Sequence, residues 1–174
     1  RLVHNAEAQV VGDDNVPLVV GEVGRVRYRG GACAIAFYND PEATKEAFHE
    51  GWFYPGDLGK FDKEGRLYLV GRIKDMIIRG GINIYPAEIE QVLLGHGAVD
   101  DVAAVAWPSR ELGEEVAAFV VAAVPVEEDV LLAYCRAQLA RYKVPRAVLF
   151  VDALPRNGFG KVLKKDLAAR LEAV

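Results

Sequence analysis

The sequence changes character close to Gly71. Before this glycine, stretches such as residues 8–11 and 24–30 are strand-like, and the second of them alternates with the period of two that a sheet requires. After it, apolar runs of strand length alternate with segments that carry a helical period. The pattern predicts a mainly β piece followed, from about residue 75, by a compact α+β domain.

The first part contains one predicted helix. Asp40 is placed to cap this helix, and Pro41 suits its first position because proline needs no hydrogen-bond partner there. Apolar residues recur at helical spacing as far as Gly51, which is expected to end the helix. Gly65 then marks a turn before the predicted strand 66–70.

The second part opens with a hairpin signal, in which Arg79-Gly80-Gly81 separates two apolar segments. A helix is predicted to start at Pro86, and Glu88 and Glu90 suit the positive end of its dipole. These two carboxylates are therefore interpreted as helix stabilisers and not as catalytic groups. The other predicted elements are strands at 99–107, 116–124 and 147–154 and helices at 127–140 and 164–171. Together they predict a small domain with a mixed sheet flanked by helices.

Composition excludes several classes of function. The net charge of −4 over 174 residues argues against nucleic acid as the main partner. No uncharged run approaches the roughly 18 residues of a membrane helix, so no transmembrane segment is predicted. Cys33 and Cys135 are far apart and lack metal-ligand spacing, which favours a reduced, cytoplasmic compartment and no metal site.

Lys161 lies at the end of a glycine-containing loop that begins at Leu154. Gly158 and Gly160 allow backbone conformations closed to other residues, and Pro155 restricts the entry to the loop. Such a loop can deliver a lysine to a ligand. It can equally be a hairpin with a solvated tip, because the same residue types form ordinary turns.

A second motif places the carboxylate of Asp57 directly after Gly56, in a turn with aromatic neighbours. A carboxylate held there can accept two hydroxyl hydrogens at once, as acidic side chains do when they bind a ribose diol. The alternative is an aspartate that hydrogen-bonds the backbone of its own turn. Residues 71–90 follow soon after, and the motifs are specific when they are taken together.

In this order the motifs resemble those of the adenylate-forming superfamily, which includes acyl-CoA synthetases, aryl-CoA ligases, luciferases and the adenylation domains of peptide synthetases. The resemblance covers the whole chain. It rests on six ordered blocks: Gly21-Glu22 with Arg29-Gly30-Gly31, then residues 38–44, 56–58, 71–90, 142–145 and 155–161. Residues 83–88 are similar to the CoA ligases in particular, so CoA is favoured over a carrier-bound thiol.

The resemblance implies a role for each matching residue. Asp57 would hold the ribose hydroxyls of ATP and of the acyl-adenylate, and Arg72 would support the same nucleotide. Lys161 would be the catalytic lysine, which reaches the carboxylate and the α-phosphate and stabilises the charge of the transferring group. Lys74 and Asp75 would form the hinge of the C-terminal domain, although Lys74 can also be read as a solvated loop lysine.

The same resemblance implies a second working face. After pyrophosphate leaves, rotation of the domain would bring Arg79, Gly80 and Gly81 to the active site. Their thin backbone would line the tunnel through which the pantetheine of CoA brings its thiol to the acyl-adenylate. This domain alternation would let one small domain serve both half-reactions.

By this resemblance, residues 1–74 are the β-rich end of the large AMP-binding domain, and residues 75–174 are the mobile C-terminal domain. Because the sequence begins without Met, we expect a piece of a longer enzyme. The family's phosphate-binding loop and acyl pocket belong upstream. The chain alone is therefore expected to be inactive and to bind no cofactor tightly.

The implied enzyme is an acyl-CoA synthetase of fatty-acid or other carboxylate metabolism. It would use ATP with Mg²⁺ to adenylate a carboxylic acid and would then transfer the acyl group to CoA. Two alternatives stay open: a non-catalytic docking module derived from the mobile domain, and part of an adenylation domain that serves a carrier protein. The presence of Asp57, Arg72 and Lys161 argues against the docking module, because a module without chemistry needs none of them.

Overall fold

The structure, a computed structural model, describes residues 5–171 of the chain. It has two compact units, Arg1–Lys74 and Asp75–Val174, and each is built on its own sheet. The α+β class predicted from the sequence is confirmed. Within the described residues, no helix is both long enough and apolar enough to cross a membrane.

The first unit is built on an antiparallel sheet. Its strands are β1 (Ala6–Val11), β2 (Gly24–Gly30), β3 (Phe48–His49), β4 (Trp52–Phe53), β5 (Asp57–Phe61) and β6 (Leu67–Arg72). Strand β2 pairs with β1, β4 and β5, while β3 lies beyond β4 and β6 lies beyond β5. The small apolar core of this unit consists of Val10, Val11, Val26, Trp52 and Leu58.

Helix α1 spans Pro41–Ala47, and its amino terminus forms as predicted. The Asp40 carboxylate accepts the N–H of Ala43 at 2.9 Å, which satisfies a donor that has no partner within the helix. The prediction that Gly51 ends the helix is wrong. The chain is extended directly after α1, and Gly51 lies in the turn of the hairpin between β3 and β4. Both Glu50 and Gly51 have positive φ, as the favoured two-residue hairpin turn requires.

Within residues 75–171, the second unit contains a mixed sheet and three α-helices. The strands are β7 (Ile77–Arg79), β8 (Ile82–Ile84), β9 (Val99–Ser109), β10 (Gly113–Ala122) and β11 (Ala147–Phe150), and the helices are α2 (Pro86–Leu94), α3 (Glu128–Gln138) and α4 (Lys164–Ala168). Strand β11 runs parallel to β10, and the other pairs are antiparallel. Every element predicted for this part is present, although β10, α3, β11 and α4 end earlier than the sequence pattern indicates.

Strand β10 is covered on both faces. Val116 and Val120 belong to the apolar cluster that includes the buried sides of α2 and α3, whereas Phe119 belongs to the cluster that includes α4. Burial on both faces explains why this stretch is almost continuously apolar. In α2, Ile89 and Leu93 are four residues apart and fully buried, so the helix presents one side to the core.

Replacing Ile89 with alanine is expected to lower the free energy of unfolding of the second unit by about 2–5 kcal/mol, because a fully buried side chain leaves a cavity. Leu94→Ala is the matched control, since Leu94 lies on the same helix but is 51% exposed. Its effect should stay below about 1 kcal/mol. Denaturant unfolding measures both changes, and equal destabilisation would contradict the assignment of the buried face.

Candidate active site

Asp57 and Arg72 lie opposite each other on neighbouring strands. Asp57 begins β5, Arg72 ends β6, and the two residues pair directly across the antiparallel ladder. The Nε of Arg72 lies 3.1 Å from Oδ1 of Asp57, and Nη2 donates to the carbonyl of Pro55 at 2.6 Å. The structure therefore brings together the two residues that the sequence assigns to nucleotide binding.

The Asp57 carboxylate keeps hydrogen-bonding capacity for a ligand. Its side chain is 24% exposed, and within residues 5–171 the structure shows no hydrogen bond to Oδ2 and none from the backbone of its own turn. Burial raises the pKa of Tyr28, and the negative charge of Asp57 raises it further. Gly56 has a φ of 82°, a conformation that favours glycine at the entry to the strand.

A cavity of about 430 Å³ opens on the first unit beside Gly56. Its wall includes the rings of His49 and Tyr54, which stack with their centroids 4.1 Å apart, and it is also lined by Lys74 and Arg25. The buried Nε of Arg25 has no hydrogen-bond partner among the described residues. Aromatic walls with cationic groups suit a flat, anionic ligand. The sequence does not predict this cavity, because it joins segments that are far apart in the chain.

The two units divide between Lys74 and Asp75, within a 3-10 turn that spans Ile73–Asp75. The N–H of Ile73 donates to the carbonyl of Gly56 at 2.9 Å, which anchors the start of the turn to the first unit. Lys74 Nζ lies 3.6 Å from Oε1 of Glu46, but the two side chains are 79% and 73% exposed. An ion pair so open to solvent contributes little stability, so it does not hold the turn rigidly.

Gly80 and Gly81 form the two-residue turn of the hairpin between β7 and β8. Their φ values are 56° and 82°, and glycine adopts such left-handed conformations without steric cost. The N–H of Gly80 donates to the carbonyl of Leu112 at 2.8 Å, whereas a Cβ added at Gly81 would meet no atom within 4 Å. One glycine is therefore anchored, and the other faces open space.

Arg79, which precedes this turn, forms an ion pair with Glu115. Its Nε and Nη2 donate to the two carboxylate oxygens of Glu115, and the longer of the two bonds measures 3.2 Å. Glu115 is only 7% exposed. In this structure the Arg79 side chain supports the hairpin, so the bare backbone of the turn is the part that remains available to a ligand.

Lys161 ends a loop whose backbone is held in place. The side-chain oxygen of Asn157 accepts the N–H of Lys161 at 3.0 Å. Arg156 donates to the carbonyl of Gly160 at 2.6 Å and forms an ion pair with Asp101. Gly160 has a φ of 82°, which the tight turn requires and glycine permits.

The Lys161 side chain is exposed and makes no ion pair with any residue that the structure describes. By contrast, Lys143 pairs with Glu88 at 2.6 Å, and Lys164 pairs with Glu90 at 2.7 Å. These contacts agree with a structural role for Glu88 and Glu90. An unpaired ammonium on a fixed backbone is placed to meet an anionic ligand.

The candidate residues supply acceptors for hydroxyl groups, cations for phosphate, and a stretch of backbone without side chains. Such groups bind, orient and stabilise charge, which is the main protein contribution to phosphoryl and acyl transfer. Among the described residues, no cluster of three or more His, Cys, Asp or Glu side chains is arranged to hold a metal ion.

Known proteins match both the sequence and the fold. Residues 88–161 match the family model for the AMP-binding enzyme C-terminal domain. Over 168 residues, 96% of the chain, the sequence is 46% identical to the long-chain-fatty-acid–CoA ligase FadD13 of Mycobacterium tuberculosis and covers 33% of that protein. The chain therefore spans about a third of the length of the curated relatives it matches.

Solved structures agree with these matches. The o-succinylbenzoate CoA synthetase of Bacillus subtilis, in complex with its acyl-adenylate intermediate, matches with a TM-score of 0.90 at 36% identity, over 94% of this chain and 34% of that one. The amide bond synthetase McbA of Marinactinospora thermotolerans matches with a TM-score of 0.90 at 34% identity, over 95% of this chain and 34% of that one. The chain therefore belongs to the adenylate-forming superfamily, as a carboxy-terminal portion that includes the family's C-terminal domain.

Proposed function

We propose that this chain is the carboxy-terminal part of a cytoplasmic, ATP-dependent acyl-CoA synthetase, which adenylates a carboxylic acid and transfers the acyl group to CoA. Residues 1–74 would complete the large AMP-binding domain, and residues 75–174 would be the mobile domain. The observation that carries the proposal is the ammonium of Lys161, which has no ion-pair partner among residues 5–171 and lies on a loop whose backbone is fixed. ATP with Mg²⁺ and CoA would be substrates of the intact enzyme, and the chain alone would be inactive.

In the first half-reaction, Asp57 would accept hydrogen bonds from the ribose hydroxyls, since its Oδ2 has no partner within the described residues. Arg72 would orient that carboxylate through the 3.1 Å ion pair and add positive charge close to the nucleotide. Lys161 would contact the carboxylate and the α-phosphate while negative charge builds up on the transferring group. A cation already positioned there lowers the barrier without further reorganisation.

In the second half-reaction, rotation about Lys74 and Asp75 would replace the Lys161 loop with the Gly80-Gly81 turn. The open space beside Gly81 would let pantetheine pass along the backbone. A long-chain carboxylate and CoA are the favoured substrates because FadD13, a CoA ligase by name, is 46% identical. An amine is the second candidate for the acceptor, because McbA is an amide bond synthetase of closely similar fold.

In the intact ligase that contains this chain, Lys161→Ala is expected to slow adenylation by about 10²–10³-fold, because a charge that stabilises the transferring group is lost. Conversion of preformed acyl-adenylate to acyl-CoA should change by less than about threefold, since that charge serves only the first step. Pyrophosphate release measures the first reaction, and thioester formation measures the second.

Lys165→Ala is the matched control for this experiment, because it removes another exposed lysine of the same segment. It should leave both half-reactions unchanged. Equal losses in both half-reactions of Lys161→Ala would contradict the assigned role. No loss in either would favour the docking module.

Gly81→Phe in the intact ligase is expected to leave pyrophosphate release within about twofold and to slow transfer to CoA by about 10²-fold, because its ring would obstruct the thiol. Gly81→Ala is the control, since it incurs a similar left-handed strain of about 1–2 kcal/mol but adds only a methyl group. A Cβ at position 81 meets no atom within 4 Å. A difference in transfer rate between the two variants therefore measures the effect of a large side chain in the path of the ligand. Equal transfer rates in the two variants would contradict the tunnel.

Lys74→Pro is expected to make the intact ligase accumulate acyl-adenylate, because proline fixes φ near about −65° where the rotation would occur. Adenylation should persist, and thioester formation should fall. Lys74→Ala removes the same weak contact with Glu46 but leaves φ free, so it should behave like the unmodified enzyme. If Lys74→Pro lost adenylation and kept transfer, the hinge and the two faces would be assigned the wrong way round.

A further inference from the structure

Glu115 is one of two charged side chains that are buried in the described part of the chain, and Arg27 is the other. A carboxylate removed from water costs free energy unless charged and hydrogen-bonded partners compensate for it. Glu115 has such a partner in Arg79, which donates to both of its oxygens. The pair joins the start of β10 to the residue that precedes the Gly80-Gly81 turn.

Two further contacts hold the hairpin between β7 and β8. One comes from the start of β10, and the other comes from the turn that precedes β10. The carboxylate of Glu114 accepts the N–H of Ile78 at 2.6 Å, and the carbonyl of Leu112 accepts the N–H of Gly80 at 2.8 Å. The ladder between β7 and β10 is short. Among the described residues, it consists of one pair, Arg79 opposite Gly113. The hairpin therefore depends on side-chain contacts more than an ordinary strand pair does.

The turn itself has no side chains with which to fix its orientation. Glycine also loses more conformational freedom on ordering than any other residue, so neighbouring contacts must hold the turn. A guanidinium that donates two parallel bonds to a carboxylate fixes direction as well as distance. The Arg79–Glu115 pair is therefore suited to orient the backbone immediately before Gly80.

The surroundings of Glu115 make its charge necessary for this arrangement. Arg79 and Glu115 line a cleft of about 530 Å³ together with Arg136, Arg141 and Arg146. If the Glu115 charge were removed, Arg79 would share this cleft with three other cations and would have lost its counterion. Like charges repel, so the guanidinium would leave its present position and release the turn.

We propose that Glu115 is a positioning residue for acyl transfer to CoA: acting through Arg79, it holds the Gly80-Gly81 turn in the shape that admits the thiol. This inference rests on the tunnel role proposed for that turn. Glu115 itself touches no substrate. Its contribution is confined to the second half-reaction, because the turn would serve only that step.

The test uses the intact ligase and the variant Glu115→Gln, which keeps the shape of the side chain and removes its charge. Transfer from preformed acyl-adenylate should slow by about tenfold, with a higher apparent KM for CoA, because a displaced turn obstructs the thiol. Pyrophosphate release should stay within about twofold of the unmodified enzyme. Hydrogen exchange at the Gly80 amide should become faster, since its bond to Leu112 would open more often.

Glu111→Gln is the matched control, because it removes an exposed carboxylate from the turn that leads into β10 and should change none of these quantities. Arg79→Lys is the second variant if Glu115→Gln folds poorly. Lysine keeps the positive charge but cannot donate two parallel bonds to Glu115. Transfer to CoA should therefore fall by a smaller factor than in Glu115→Gln.

Unchanged transfer in Glu115→Gln would overturn the proposal, as would an equal loss in both half-reactions, which indicates general damage to the fold. The variant Gly81→Phe shows whether the positioning role of Glu115 or the tunnel role of the turn has failed. If Gly81→Phe also transfers normally, the tunnel role is wrong. If Gly81→Phe is blocked while Glu115→Gln transfers normally, only the positioning role is wrong.

Discussion

Strand β10 is the element on which the second unit depends, because it is apolar on both faces and pairs with β7, β9 and β11. Burial of its central residues keeps the strand in one register, since a slip of one residue would exchange its two faces. The same strand carries Glu114 and Glu115 at its entrance, where they hold the glycine hairpin. The apolar centre thus fixes the position of the charged end.

The charged residues of the second unit fall into two groups according to their partners. Lys143, Lys164 and Arg79 are each paired with a carboxylate, and these pairs connect elements of the fold. Lys161 has no such partner among the described residues. A paired charge gains its stabilisation within the protein, whereas an unpaired one remains free to stabilise charge on a ligand. Pairing therefore accounts for Lys143 and Lys164 as contacts within the fold, whereas Lys161 remains available to a ligand.

Local signals in the sequence predicted most of the elements, because caps, prolines and periodicity act within a few residues. Asp40 and Pro86 mark helix starts that the structure confirms. Gly51 misled the prediction, since glycine suits a helix end and a hairpin turn equally well and only the pairing of β3 with β4 decides.

The contacts of the candidate site were less predictable than its residues. Asp57 and Arg72 were predicted separately as nucleotide contacts, but their ion pair depends on the register of β5 and β6. Glu115 carried no signal of its own, because its partner Arg79 lies 36 residues earlier in the chain. Such long-range pairings follow from the fold and not from local patterns.

The two loops that we propose for the two half-reactions are held by the same pair of strands. The Lys161 loop is held through Arg156 by Asp101 on β9, and the Gly80-Gly81 turn is held through Arg79 by Glu115 on β10. Strands β9 and β10 form a long antiparallel ladder. Because both anchors belong to that ladder, a rotation of the unit as one body would carry both loops without changing the shape of either. Under the proposed function, one hinge would therefore be sufficient to exchange the two loops, and neither loop would have to refold between the two steps.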